Sequence, residues 1–208
     1  MNTVYIYVFP NDKEFSSEEK IKLCLAEYEK NVLKEELEKA PSFNKEYKIS
    51  KTKLGKPYVE EKNIGISVSH SDEYFICAIG QIHMGVDIEH RKSLRDESRE
   101  KMQERLNGIA KRFFHPIEAN YVLDDPINRF FKIWTAKESL VKHTGEGINE
   151  NFSRYCVYSP ILEKECGIIQ WTAQGKCFWQ TTYREEYELC ICTDEECTVY
   201  IIDMEKQW

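Results

Sequence analysis

No run of about 18 apolar residues occurs in the 208-residue chain, so no membrane-spanning helix is expected. The opening residues, MNTVYIYVFPND, lack a basic stretch ahead of a long apolar one, and no signal peptide is expected. Positive charge is in deficit. Against 36 Asp and Glu stand 29 Lys and Arg, a net charge of −7 that argues against general binding to a nucleic-acid backbone. A Gly-x-Ser-x-Gly elbow is missing, and with it the nucleophile of the α/β-hydrolase type. Cysteine pairs with metal-type two-residue gaps are missing as well. Six of the eight cysteines follow residue 150, too sparse a pattern for a secreted disulfide scaffold. What is present is a set of 12 Tyr, 10 Phe and 4 Trp, too many aromatics for a disordered chain. The composition describes an acidic globular protein, expected to be intracellular and cytoplasmic, with no nucleic-acid or membrane partner. Its length suits one large domain or two small ones.

Thr3–Phe9 is β-branched and aromatic and predicts a strand. Ser16 and Ser17 precede an amphipathic helix over Glu18–Lys39, with Ile21, Leu25, Tyr28 and Val32 at helical spacing. Strands are predicted over Ile64–Val68, Tyr74–Ile79 and Met84–Glu89. A helix is predicted to end near Phe113-Phe114, and a short one to open at Pro116. A third, entered at Asp124-Asp125-Pro126, carries Phe130, Trp134, Glu138 and Val141, and Gly145 and Gly147 terminate it. Further strands are expected around Cys156–Tyr158, Ile168–Thr172, Cys177–Tyr183, Tyr187–Cys192 and Thr198–Ile202. Glu73-Tyr74 and Cys77 recur as Glu186-Tyr187 and Cys190, 113 residues on (186 less 73), which hints at two related halves with a site between them.

Three segments carry chemistry. In Gly85-Val86-Asp87-Ile88-Glu89, a strand would project both acids from one face, where their repulsion calls for exposure, a cation partner or a metal such as magnesium. Trp134, Glu138 and Lys142 stand at i, i+4 and i+8 and share one helix stripe, with Trp134 seating it against the protein. Ile66–Ser71 ends a strand in small polar groups suited to a phosphate or, equally, to a plain polar turn. Cys190, Cys192 and Cys197 could bind zinc but are better read as buried thiols. His83, His90, His115 and His143 show no ligand-like spacing and are expected to be surface or satisfied histidines.

The ordered series GKPYV, ISVSHS, GVDIE, RFFHPIEA and FFKIWTAKESLVKHTGEGI, from Leu54 to Ile148, resembles the signature motifs of Sfp-type 4′-phosphopantetheinyl transferases. The resemblance implies an α+β fold, a pseudodimer of two similar α/β halves with the active site at their interface. The halves are set at residues 1–84 on the coenzyme A side and 85–208 with the metal and catalytic motifs. It also implies transfer of 4′-phosphopantetheine from coenzyme A to a serine of an acyl or peptidyl carrier protein, by an enzyme expected to be monomeric. By the same resemblance Asp87, Glu89 and Glu138 hold magnesium, and Lys142 contacts coenzyme A phosphate. Ser69 and His70 bind the coenzyme's 3′-phosphate region, Lys56 lies beside the adenine, and Glu118 is a further acid implicated in catalysis. The three metal-type carboxylates would equally serve a magnesium-dependent phosphohydrolase, and a non-catalytic binder of coenzyme A or carrier protein is a third reading.

The family's basic N-terminal segment has no close counterpart. Lys20, Lys22 and Lys34 are mixed with acids, and no arginine precedes Arg91. Arg91–Arg105, with six Lys or Arg against four Asp or Glu and with Lys111-Arg112 following, is the expected docking region for an acidic carrier.

Overall fold

A computed structural model describes residues 2–12, 14–36, 47–60, 63–92, 97–163 and 167–204, the side chains of 33–36 excepted. The first aromatic run forms strand β1 (Asn2–Pro10). A capping box opens helix α1 (Ser17–Glu36): Glu19 N donates to Ser16 Oγ at 3.3 Å, and Ser16 N donates to Glu19 Oε2 at 2.8 Å. Residues 37–39 of the expected helix lie outside the described residues. A short hairpin follows, β2 (Ile49–Lys51) and β3 (Pro57–Val59), which the hydrophobic pattern did not predict. Then come β4 (Gly65–Ser71), β5 (Tyr74–Gly80) and β6 (Met84–His90). The helices are α2 (Arg99–Phe113), α3 (Pro116–Asp124) and α4 (Pro126–Thr144). Both α3 and α4 begin at a proline, and α4 stops at Gly145, whose φ of 76° only glycine adopts freely.

Strands β7 (Ile169–Ala173), β8 (Lys176–Tyr183), β9 (Tyr187–Thr193) and β10 (Cys197–Asp203) complete the chain. The strand expected around Cys156–Tyr158 is irregular backbone instead. Its polar groups find other partners. Val157 N donates to Glu118 Oε1 at 2.6 Å, and the Val157 carbonyl accepts from Trp171 Nε1 at 2.9 Å, so buried side chains take the place of a neighbouring strand.

One sheet has the order β10-β1-β5-β4 and the other β6-β9-β8-β7. In each, a strand that leads toward a helix lies beside the last strand of an antiparallel pair: β1 beside β5, and β6 beside β9. β10 returns from the second sheet's sequence to pair in parallel with β1. The alternation of the strands builds three cores. Val4, Ile6, Val8, Ile76 and Ala78 meet Val86, Ile88, Leu189 and Ile191 between the sheets. Tyr5, Tyr7, Phe9 and Cys77 pack under Ile21, Leu25 and Tyr28 of α1. Cys190, Cys192 and Phe178 pack under α2, α3 and α4. The result is an α+β arrangement of four layers, helix, sheet, sheet and helices, in which central strands are apolar on both faces. The recurring tyrosines, Tyr74 and Tyr187, meet edge-on at 5.0 Å between the sheets.

The seven described cysteines are free thiols. Cys190 and Cys192 share one core while Cys197 lies in another, so the three do not form a zinc cluster. No described helix is long and apolar enough to cross a membrane.

Candidate active site

The two sheets meet along β4 and β6, and hydroxyls stitch the seam. Val86 N donates to Ser67 Oγ and His90 N to Ser71 Oγ, both at 3.0 Å. Ser69 Oγ donates to Asp87 Oδ1 at 2.8 Å and Ser71 Oγ to Glu89 Oε2 at 3.0 Å. Period-two alternation brings Ser67, Ser69 and Ser71 to one side of β4, where they serve β6. The helix α4 crosses β6 on the face that carries Asp87 and Glu89. Gly85 permits the approach, because a Cβ there would stand 2.1 Å from the Ser139 carbonyl oxygen and 2.3 Å from His143 N.

The expected stripe of α4 arrives over the two acids. Lys142 Nζ donates to Asp87 Oδ1 at 2.6 Å and to Ser69 Oγ at 2.8 Å. Trp134 does more than seat the helix. Its indole stacks on Phe130 at 5.6 Å and donates to Glu89 Oε1 at 3.3 Å. No described residue donates a hydrogen bond to Glu138.

Three carboxylates thus share one ammonium in a half-buried seam. Burial, and then the charge of Asp87, push Glu89 and Glu138 each up to about 7. Asp87 is 2% exposed; burial raises it and Lys142 draws it back. Its second oxygen, Oδ2, is buried with no hydrogen-bond partner among the described residues. An all-oxygen donor set with excess negative charge and one orphaned oxygen fits a hard divalent cation such as magnesium.

The other expected site residues divide. Lys56 shares a groove with Lys142, and its Nζ donates to the carbonyls of Met84 at 3.1 Å and His143 at 3.3 Å, the latter at the end of α4. There it also answers the helix dipole, while burial pulls its ammonium below the usual lysine range. With Leu54, Pro57, Ser67, Lys142 and Gly147 it lines a groove of about 230 Å³. His70 is exposed on β4 and, by alternation, faces away from Ser69; no described contact joins it to the carboxylates.

Glu118 is engaged elsewhere. It is fully buried, with Oε2 accepting from Lys137 Nζ at 3.0 Å and His115 N at 2.9 Å, and Oε1 accepting from Val157 N. It caps α3 and pairs with the buried Lys137, which also donates to the Tyr155 carbonyl.

The histidines depart from expectation in one place. His90 bonds Asp72 at 2.8 Å and His115 caps α3, but His143 is 3% exposed and meets His83, ring to ring, at 4.3 Å. Burial lowers both imidazoles, His143 to about 4. Of the basic docking stretch, Arg91 pairs with Glu188 at 3.4 Å, Lys92 with Asp72, and Arg105 with Glu97 at 2.8 Å. Arg99, Lys111 and Arg112 are exposed, and Arg95 lies outside the described residues.

Comparison with known proteins gives a consistent match. The model of the 4′-phosphopantetheinyl transferase superfamily matches residues 83–192, just over half the chain. The 4′-phosphopantetheinyl transferase gsp of Aneurinibacillus migulanus is 34% identical over 102 residues, 47% of this chain and 38% of its own length. A 4′-phosphopantetheinyl transferase of Bacillus subtilis is 30% identical over 146 residues, 66% of this chain and 59% of its own. HetI of Nostoc sp., named a 4′-phosphopantetheinyl transferase, is 32% identical over 103 residues, 45% and 40% respectively. The chain thus spans about half the length of the curated relatives it matches.

Proposed function

Because this chain belongs to the 4′-phosphopantetheinyl transferase superfamily, we propose that it moves the 4′-phosphopantetheine group of coenzyme A onto a serine of an apo acyl or peptidyl carrier protein. The observation that carries the proposal is the cluster of Asp87, Glu89 and Glu138 beside Lys142, with Asp87 Oδ2 left unsatisfied next to the groove that Lys56 and Lys142 line.

In this reading Asp87, Glu89 and Glu138 hold magnesium. Bound there, the ion neutralises charge that builds on the pyrophosphate as its anhydride bond breaks. Lys142 adds a point charge on the same phosphates, and Lys56 receives the nucleotide end of coenzyme A in the groove. Ser69 orients Lys142 and Asp87 from within the seam, and exposed His70, on the opposite side of β4, is the residue free to meet the 3′-phosphate from outside it. Glu138, which takes no hydrogen bond from a described residue, accepts the proton of the carrier serine. The serine oxygen forms its bond to the β-phosphorus, and adenosine 3′,5′-bisphosphate departs with the bridging oxygen. Glu118 is left out of the proton transfer, because both of its oxygens are bonded and it has no exposed surface. Its part is to hold α3 and Lys137 against the loop at Val157. Exposed Arg99, Lys111 and Arg112 on α2 supply the basic face for an acidic carrier.

The decisive experiment incubates the protein with coenzyme A, magnesium and an apo-carrier and weighs the carrier. A gain of one phosphopantetheine is expected. No gain alongside intact metal binding overturns the proposal, and phosphate released without any carrier points to a phosphohydrolase instead.

A further inference from the structure

A second set of metal-ligating side chains gathers at the C-terminal end of α4. His83 lies in the turn between β5 and β6, His143 in the last turn of α4, and Asp194 in the turn between β9 and β10. One ligand atom of each lies within 4.8 Å of the other two. His143 Nε2 is 3.1 Å from Asp194 Oδ1, and His83 Nδ1 is 3.9 Å from Asp194 Oδ2.

His143 makes this more than a surface ion pair. It is 3% exposed, and neither ring nitrogen completes a hydrogen bond to a described residue; the approach to Asp194 is close but not aligned. Burying a polar group without a partner carries a free-energy penalty, and native proteins keep few such groups without a reason. A metal ion drawing on the ring nitrogen supplies that reason.

We propose that His83, His143 and Asp194 form a binding site for a divalent transition metal, separate from the carboxylate cluster and independent of the transferase reading. Two imidazoles and one carboxylate suit zinc, which takes nitrogen and oxygen ligands in tetrahedral geometry and leaves a fourth position for water. Zinc–nitrogen bonds of about 2.0–2.1 Å set tetrahedral ligands about 3.3 Å apart. His143 and Asp194 already stand near that spacing. His83, with 56% of its side chain exposed, is free to close the rest, about 1.5 Å at most.

Two ammonium groups border the site and oppose a cation. Lys176 Nζ lies 2.6 Å from Asp194 Oδ1, and Lys56 Nζ lies 3.5 Å from His83 Nε2. Lys176 holds only a part-exposed surface pair, a weak interaction that a metal–carboxylate bond displaces. Lys56 keeps two backbone carbonyls whichever way the imidazole is used. The bound metal would tie the end of α4, which bears Lys142 and Glu138, to turns of both sheets.

The test uses the whole chain, free of any tag and stripped of metal, titrated with zinc chloride by calorimetry in excess magnesium, and with cobalt(II) by visible absorption. One equivalent of zinc is expected to bind both the parent and Asp87→Asn, with an intense tetrahedral-type cobalt band. His143→Gln and His83→Gln should each weaken zinc at least tenfold. Because His83 is exposed, its variant keeps the test valid if the buried His143→Gln fails to fold. Absence of zinc binding by the parent overturns the proposal. So does unchanged affinity in His83→Gln, or binding that Asp87→Asn abolishes and both histidine variants retain.

Discussion

The strands β1 and β6 hold like places in the two sheets and carry unlike chemistry. Pro10 pairs with Tyr74 and His90 with Tyr187. Aligning those two pairs sets Tyr5, Tyr7 and Phe9 of β1 against Gly85, Asp87 and Glu89 of β6. The three aromatics are 7%, 0% and 4% exposed, and they keep α1 a ring's thickness away, Tyr5 meeting Tyr28 edge-on at 5.8 Å. On β6 the glycine lets α4 settle on bare backbone, and the two acids form a charged floor beneath it. One frame therefore builds a packed wall in one place and a candidate site in the other. The difference rests on three side-chain positions, which is how a site is grafted onto a fold.

The comparison is broken most sharply by matched variants. Asp87→Ala should lower carrier modification at least about 100-fold with little change in urea midpoint. Its counterpart Tyr7→Ala should cost about 3–5 kcal/mol of stability and leave the activity of the folded fraction intact. Full activity in Asp87→Ala would remove that residue from the metal. Next in size, Glu118→Ala strands the Lys137 ammonium in the interior and should cost about 3–5 kcal/mol, while adding Lys137→Met restores much of it. Stability retained with turnover lost would instead return Glu118 to the chemistry.

Gly85→Ala drives a methyl group into the backbone of α4 and should cost about 1–3 kcal/mol together with turnover. Normal kinetics in that variant would show that the close helix approach does not matter to the site. The smallest effect is electrostatic. Without metal, the folded chain keeps protons on Glu89 and Glu138 up to about 7, whereas an unperturbed glutamate releases them near 4.5. Between those values the folded state binds more protons than the unfolded, so stability falls as pH rises and levels off above about 7. Glu138→Gln should remove its share of that fall and flatten the slope, measured from urea midpoints at acidic and alkaline pH. Glu188, also raised to about 7 by burial, keeps its share, and an unchanged slope would contradict the ionisation assigned to Glu138.

Much of this was legible because it is local. Ser16 and Ser17, Pro116, Pro126 and Gly145 announce helix ends through backbone chemistry that needs no distant partner. The same holds for Asp87 beside Glu89, and for the stripe of Trp134, Glu138 and Lys142, whose spacing is a property of one strand or one helix. What escaped depends on contacts remote in sequence. Val157 looked like part of a strand, yet its amide belongs to Glu118, 39 residues away. Ser67 and Ser71 read as a polar strand end, and only the seam with β6 gives their hydroxyls a purpose. His83 and His143 carried no recognisable spacing because three separate turns bring them and Asp194 together.

The pairing of β10 with β1 has a consequence for how the chain acquires its shape. Asn2 lies opposite Cys197, a separation of 195 residues (197 less 2), so one edge of β1 stays open until β10 has been made and brought back to it. Closing so long a loop is entropically slow, and an apolar strand with an unpaired edge invites association with other chains meanwhile. The net charge of −7 on the chain adds a mutual repulsion that opposes such association.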